Sequence, residues 1–157
     1  DGYEVYLPVA DTVKLWQNLL QERIKPCGLG ARDALRLEAG LPLYGHELSS
    51  EINPLEAGLS KFVELERDFV GKAMADKQQR QLIALISQDK SIPRDGYKVF
   101  VQDQEIGYIT SGSFSPTLNK GIAFALVTKD LAKDTTEVEV AIRRKKHTYR
   151  ITTTPFV

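Results

Sequence analysis

Hydrophobic and polar positions follow two different periods along this chain. Residues 3–7 alternate with the two-residue period of a half-buried strand. Apolar residues then recur at helical spacing, which predicts an amphipathic helix that Asp11 caps and that ends near Glu22. Residues 31–39 are rich in helix formers and precede Gly40, so they predict a second helix. A strand followed by helices is typical of an α/β unit.

The middle of the chain is more irregular. Proline and glycine interrupt residues 41–48, which we expect to run along the surface without regular structure. Asp68 is expected to cap a short helix over 69–75. The polar run 76–80 then marks the expected boundary with the rest of the chain.

The last part of the chain reads as a series of short strands with turns between them. The predicted strands cover 82–86, 98–102, 105–111, 121–128, 137–143 and 148–153. The residues 102–104 and 144–146 have the length and polarity of hairpin turns. The serine-rich stretch 111–115 is expected to be a loop. About six short strands indicate a small closed barrel or a Greek-key sheet.

Composition and charge exclude several classes of protein. Lys and Arg number 21 and Asp and Glu also number 21, so the chain lacks the basic excess typical of nucleic-acid binding. Cys27 has no partner for an internal disulfide, and with only His46 and His147 no zinc-site spacing exists, which favours a reducing compartment. No apolar run reaches the ~20 residues of a membrane span. The chain lacks an initiator methionine and begins within a predicted strand, so we expect a fragment of a longer protein.

Several residues are candidates for chemistry, and each has a structural alternative. The turn Gly28–Gly30 at a helix start could attract an anion or a polar ring, or could simply punctuate the chain. Arg32 offers a planar fork to a carboxylate or heterocycle, or an ion pair to its neighbour Asp33. Glu4 could accept paired N–H bonds if its face lines a cavity, and otherwise stays in water.

Two further features remain open at this stage. Cys27 as a nucleophile would need a base, for which His46 is the only candidate in this half of the chain, whereas a lone buried thiol is far commoner. The basic run 143–147 is either a docking patch for an acidic partner or a solubilising hairpin tip.

A group of short motifs, in this order along nearly the whole chain, resembles the glycine cleavage T-protein family of tetrahydrofolate-dependent aminomethyltransferases. The motifs are Asp1-Gly2-Tyr3-Glu4, Cys27-Gly28-Leu29-Gly30-Ala31-Arg32-Asp33, Leu35-Arg36-Leu37-Glu38-Ala39-Gly40, Leu43-Tyr44-Gly45, the run from Thr110 to Leu118, and Pro155-Phe156-Val157. Each motif is weak alone, but chance does not readily produce all of them together.

The resemblance implies an α+β chain with three parts. Residues 1–48 would be the C-terminal end of an α/β folate-binding domain, 49–80 a connecting segment, and 81–157 a small six-stranded antiparallel β-barrel. The family's enzyme takes an aminomethyl group from the lipoyl arm of the H protein, releases ammonia and transfers the methylene carbon to tetrahydrofolate. It uses no metal, and it works in the bacterial cytoplasm or the mitochondrial matrix.

Two site residues are carried over by the same resemblance. Glu4 and Arg32 match the family's folate-binding glutamate and arginine and are implied to hold the pterin ring. The family's catalytic acidic residue has no counterpart here, so no catalytic residue is expected in this chain and the chain alone should be inactive. The alternatives are a folate-binding module of a sarcosine or dimethylglycine dehydrogenase, or a non-catalytic folate-binding protein; membrane and nucleic-acid partners are not expected.

Overall fold

The structure is a computed structural model that describes residues 2–75 and 78–157. The chain divides into two units, the first ending at Arg32 and the second running from Asp33 to Val157. Of the polar run predicted as a boundary, Asp76 and Lys77 lie outside the described residues. Within the described residues, no helix combines the length and apolar character needed to cross a membrane.

The first unit contains helix α1 (Val9–Gln21) and the start of helix α2 (Leu29–Glu38). The predicted strand at 3–7 is wrong, because residues 2–8 have no regular structure. A strand needs a hydrogen-bonded neighbour, and no strand in the described part of this unit supplies one. Asp11 lies in the first turn of α1 and does not cap it, since the helix begins two residues earlier, after Pro8.

The second unit opens with the end of α2 and an irregular stretch. The predicted second helix is confirmed, and the irregular course of 41–48 is also confirmed, with a single bridge between Tyr44 and Leu48. A 3-10 helix (Ser60–Phe62) and helix α3 (Lys72–Ala75) follow. The helix predicted over 69–75 is therefore too long, and Asp68 does not cap it. Gly71, with a φ of 93°, adopts a left-handed conformation that interrupts helical geometry just ahead of α3.

Six antiparallel strands close into a barrel in the second unit, which is one of the two arrangements that the pattern predicted and the one that the family resemblance implied. The strands are β1 (Arg80–Ser87), β2 (Lys98–Val101), β3 (Gln104–Ser115), β4 (Lys120–Thr128), β5 (Glu137–Ile142) and β6 (Lys145–Thr152). Their order around the barrel is β1-β4-β3-β2-β5-β6. Both predicted hairpins are confirmed, and Gln102, Asp103 and Arg143 in their turns have the positive φ that tight hairpins require.

Strand β4 is buried on both faces and therefore separates two hydrophobic clusters. Ala123, Ala125 and Val127 face the barrel interior, where they meet buried residues of the other five strands. Ile122 and Phe124 face outward and pack against the fully buried Leu37 of α2. Helix α2 thus covers one outer face of the barrel.

Candidate functional site

The two residues implied to bind folate lie in the first unit. Glu4 precedes α1 in the irregular segment, is exposed, and accepts a hydrogen bond from the Tyr6 hydroxyl at 3.0 Å. Arg32 is exposed on α2, where its backbone N–H donates to the Gly28 carbonyl at 3.1 Å. No hydrogen bond or ion pair joins the side chains of Glu4 and Arg32 in the described part of the chain. Both groups are accessible to a ligand.

Asp33, the neighbour of Arg32, has a cationic partner of its own. Its carboxylate lies 2.7 Å from the Arg36 guanidinium, one helical turn along α2. This i, i+3 pair takes the place of the ion pair that the sequence suggests between Arg32 and Asp33.

Cys27 and His46 each lie close to a backbone carbonyl oxygen. Cys27 is exposed, in contrast to the buried thiol that is commonest, and its Sγ lies 3.9 Å from the Lys25 carbonyl oxygen. The His46 Nδ1 lies 2.8 Å from the Thr110 carbonyl oxygen in the second unit. Over the described ranges, no three His, Cys, Asp or Glu side chains are grouped so that they could hold a metal ion.

A buried ionic network joins α2 to strand β3. Arg36 donates to Glu47 at 3.0 Å and to the Ser111 hydroxyl at 2.8 Å. Glu47 is fully buried and also accepts the Leu43 N–H at 2.9 Å and the Thr110 hydroxyl at 2.6 Å. A buried carboxylate requires this degree of pairing, because an unpaired charge in the interior is very costly.

An irregularity in β3 brings two consecutive side chains to this network. The register between β3 and β4 shifts between Ile109 and Ser111, which leaves Thr110 as an extra residue. Neighbouring side chains in a regular strand point to opposite faces, but a bulge re-aims one of them. Thr110 and Ser111 therefore both contact the Arg36–Glu47 pair.

A second buried carboxylate binds the far end of β3 to α2. Glu38 accepts hydrogen bonds from the hydroxyl of Ser115 and from the Thr117 hydroxyl, the latter at 3.0 Å. The bond from Ser115, together with those from Thr117, outweighs burial and holds the pKa of the Glu38 carboxyl below its ordinary value. The predicted loop at 111–115 is therefore wrong: the stretch continues β3, and the hydroxyls of Ser111 and Ser115 are bonded to Arg36 and Glu38.

The lowered pKa of Glu38 predicts a pH dependence of stability. In the folded state the Glu38 carboxyl stays ionised down to a lower pH than in the unfolded chain, where its pKa is near 4.5. The contribution is present above that value and is lost as the pH falls toward the folded pKa. Urea unfolding at about pH 6 and about pH 3.5 should show a smaller acid-induced loss for Glu38→Gln than for the unmodified chain. The exposed Glu66→Gln should match the unmodified chain, and an equal loss in all three proteins would contradict the prediction.

Several of the motifs that carry the family resemblance meet at this junction. Arg36 and Glu38 come from one motif, Ser111 and Ser115 from another, and the Phe156 N–H of the last motif donates to the Glu38 carbonyl at 2.8 Å. All buried side-chain polar atoms of the described residues have partners. The buried polar side chains of this junction are therefore paired with one another or with the backbone. Sequence reasoning missed it, although the charged residues beside apolar Leu37 were a usable signal.

Comparison with known proteins agrees with the motifs. The model of the "Glycine cleavage T-protein C-terminal barrel domain" matches residues 80–157, and that of the "GCVT N-terminal domain" matches residues 1–67. The chain belongs to the glycine cleavage T-protein family. Its closed six-stranded barrel is the domain that the first of these descriptions names.

Relatives of this T-protein chain are similar over its whole length. An aminomethyltransferase of Geobacillus sp. (strain WCH70) is 47% identical over 167 residues, which covers 99% of this chain and 46% of the relative. An aminomethyltransferase of Aquifex aeolicus (strain VF5) is 48% identical over 159 residues, which covers 100% of this chain and 45% of the relative. The chain therefore spans just under half the length of these curated relatives.

A solved structure has the same fold. The glycine cleavage system aminomethyltransferase T from Bartonella henselae superposes with a TM-score of 0.82 and 31% sequence identity, over 96% of this chain and 45% of that one. The T-protein family is a transferase family, as the names of these relatives state.

Proposed function

We propose that the protein to which this chain belongs transfers a one-carbon unit from the aminomethyl-lipoyl arm of the H protein to tetrahydrofolate and releases ammonia. Within it, Glu4 and Arg32 hold the pterin ring. This chain alone, which covers under half of its relatives, is expected to be inactive.

The observation that carries the proposal is the similarity to aminomethyltransferases along the whole chain, at 47% and 48% identity. The similarity extends through both family models, which match residues 1–67 and 80–157. Proteins that share this much sequence over both parts rarely differ in reaction class, so the transferase chemistry is the best-supported choice.

The donor groups of the first unit fit a pterin. A pterin carries an amino-pyrimidinone edge, to which a carboxylate can pair through two N–H bonds, while a guanidinium can donate to a carbonyl or ring nitrogen. Glu4 and Arg32 supply these two groups and are both exposed. Gly28 and Gly30 near the start of α2 have open space where a Cβ would lie, which leaves room for a flat ring beside the helix.

These residues would contribute by orientation. Neither is placed to exchange a proton with a reacting atom in this chain, but a ring held at two edges presents its nitrogens to the incoming carbon in a fixed position. The H protein would deliver that carbon and is the expected protein partner.

The reaction is tested on the full-length protein. Purified protein with aminomethylated H protein and tetrahydrofolate should release ammonia and form methylenetetrahydrofolate, and leaving out either substrate should abolish methylenetetrahydrofolate formation. Failure to form methylenetetrahydrofolate with both substrates present would contradict the proposed transfer.

The pterin contacts are tested separately by substitution. Glu4→Ala and Arg32→Ala in full-length protein should each weaken tetrahydrofolate binding about 10- to 150-fold, because each removes charged hydrogen bonds. Calorimetric titration measures this. Glu22→Ala and Lys14→Ala alter exposed charges of the same unit and should leave the affinity unchanged. Unchanged affinity in both Glu4 and Arg32 variants would reject the ligand role while leaving the family assignment intact.

A further inference from the structure

A cationic cavity of about 650 Å³ opens beside the β5–β6 hairpin of the barrel. Its lining includes the side chains of Arg94, Arg143, Arg144, Lys145 and His147. The cavity has the size of an ordinary small-molecule site. The whole chain has a formal net charge of zero, so this accumulation of positive charge is local.

Four of these five basic side chains have no carboxylate partner among the described residues. Within residues 2–75 and 78–157, no ion pair involves Arg94, Arg143, Arg144 or Lys145. The adjacent Lys146 differs, because it pairs with Asp103 and Glu139 and lies 4.6 Å from the centre of the Phe100 ring. Lys146 of the hairpin is therefore already paired, whereas Arg143, Arg144 and Lys145 line the cavity and can bind an anion.

Asp89 and Asp95 flank residues 91–94 in the sequence, and Asp89 contacts a lining residue. The Asp89 carboxylate lies 2.7 Å from His147 Nδ1, and it also accepts bonds from the Ser91 N–H at 2.7 Å and the Ser87 hydroxyl at 2.8 Å. Asp95 lies 4.0 Å from His46, which is not part of the lining. Partial burial opposes ionisation of Asp89, but its hydrogen bonds outweigh that effect and hold its pKa well below the ordinary value. Asp89 therefore joins His147 of β6 to Ser91.

The cavity wall formed by residues 91–94 is fixed in place. The Ser91 hydroxyl lies 2.8 Å from the buried Tyr149 hydroxyl. A Cβ on Gly121 would overlap the Ser91 carbonyl oxygen, and one on Gly112 would overlap the Pro93 carbonyl oxygen, so these glycines let the wall approach the barrel closely. A preformed wall lowers the entropic cost of binding a ligand.

The hairpin turn holds an arginine where glycine is favoured. Arg143 has a φ of 58°, in the left-handed region that is unfavourable for a non-glycine residue. A strained residue of this kind is a reason to look for a function. A turn that served solubility alone could carry its charges on strand residues without this cost.

The lining also contains apolar and hydroxyl groups. Ile92, Ile142 and Tyr97 also line the cavity, and Ser91 contributes a hydroxyl. We propose that this cavity binds a small organic polyanion, a molecule with two or more phosphate or carboxylate groups attached to an apolar or aromatic part. A concave, preformed site with apolar lining residues suits such a molecule better than the broad, flatter surface that a protein partner requires.

The test uses full-length protein and three defined probes at low salt: pyrophosphate, citrate and ATP without magnesium. Calorimetry should give a dissociation constant of about 1 mM or lower for at least one probe, with affinity falling as salt rises. Comparison of pyrophosphate with citrate distinguishes phosphate from carboxylate recognition. Stronger binding of ATP than of pyrophosphate would support a role for the apolar lining residues.

The variants separate the site from general charge. Arg143→Gly and Arg144→Gln should each weaken binding about tenfold or more. Lys146→Gln should leave binding unchanged, because Lys146 lies in β6 of the same hairpin but is paired with Asp103 and Glu139. Arg143→Gly should also show an equal or higher melting temperature, because glycine relieves the left-handed strain. Lost binding would then not reflect unfolding.

Three results would overturn the proposal. They are no binding of any probe by the unmodified protein, equal weakening in Lys146→Gln, and association of an acidic protein with the hairpin while no small probe binds. Tetrahydrofolate affinity should be unaffected in Arg143→Gly and Arg144→Gln. Its loss in those variants would mean that the cavity is part of the folate site, whereas failure of the Glu4 and Arg32 prediction leaves this cavity untouched.

Discussion

Replacing Arg36 with methionine should lower the free energy of unfolding by about 3–5 kcal/mol, because it leaves the Glu47 carboxylate buried without its cation. The Glu47 side chain is 0% exposed and that of Arg36 is 13% exposed, so water cannot compensate for the lost pair. Urea unfolding followed by circular dichroism measures the change.

The matched control for this experiment is Arg67→Met. Arg67 and Glu64 form an ion pair of the same type at 3.5 Å, but their side chains are 78% and 67% exposed. Pairs of this kind contribute about 0–1 kcal/mol. If Arg36→Met and Arg67→Met had equally small effects, the buried network would not be a source of stability.

The second large effect is expected at Leu37. Leu37→Ala should destabilise the second unit by about 2–5 kcal/mol, because it removes a fully buried side chain and leaves a cavity between α2 and the outer face of β4. The matched control is Leu35→Ala on the same helix, where leucine is 61% exposed. The control should change stability by about 0.5 kcal/mol or less. A similar loss in both variants would contradict the packing argument, because alanine is the better helix former and its propensity would not lower stability at either position.

The barrel could be predicted from the sequence because its signals are local. Alternation identifies each strand, and the polar stretches predicted as turns, 102–104 and 144–146, lie within a residue or two of the observed turns at 102–103 and 143–144. Helix α2 was similarly predictable from its composition and the glycine after it. The need to protect sheet edges allowed either a closed barrel or a Greek-key sheet, and the family resemblance pointed to the barrel.

The parts that failed depend on contacts distant in sequence. Ser111 and Ser115 look like loop residues until Arg36 and Glu38, more than 70 residues earlier, are seen to bind their hydroxyls. The alternation at 3–7 predicts a strand, yet a strand forms only beside a partner. Composition and spacing cannot supply either contact.

The candidate folate site could be predicted from the sequence only through the family resemblance. Spacing alone made Glu4 a solvated glutamate and Arg32 an ordinary helix residue. Their exposure leaves a ligand role open, and substitution in the full-length protein decides it. The cationic cavity was partly visible, since the basic run was noted, but Arg94 and the wall of 91–94 join it only in three dimensions.

The neighbours of β1 in the barrel are β4 and β6, and its pairing with β6 joins Ala84 to Thr152. The first strand of the barrel to be synthesised must therefore wait for the last strand of the barrel before the sheet can close. Until then, the nascent sheet has open edges on β1 and β5, which are the surfaces at which unfinished chains pair with one another. Synthesis of β6, rather than formation of the early hairpins, therefore determines when these edges can pair within the domain.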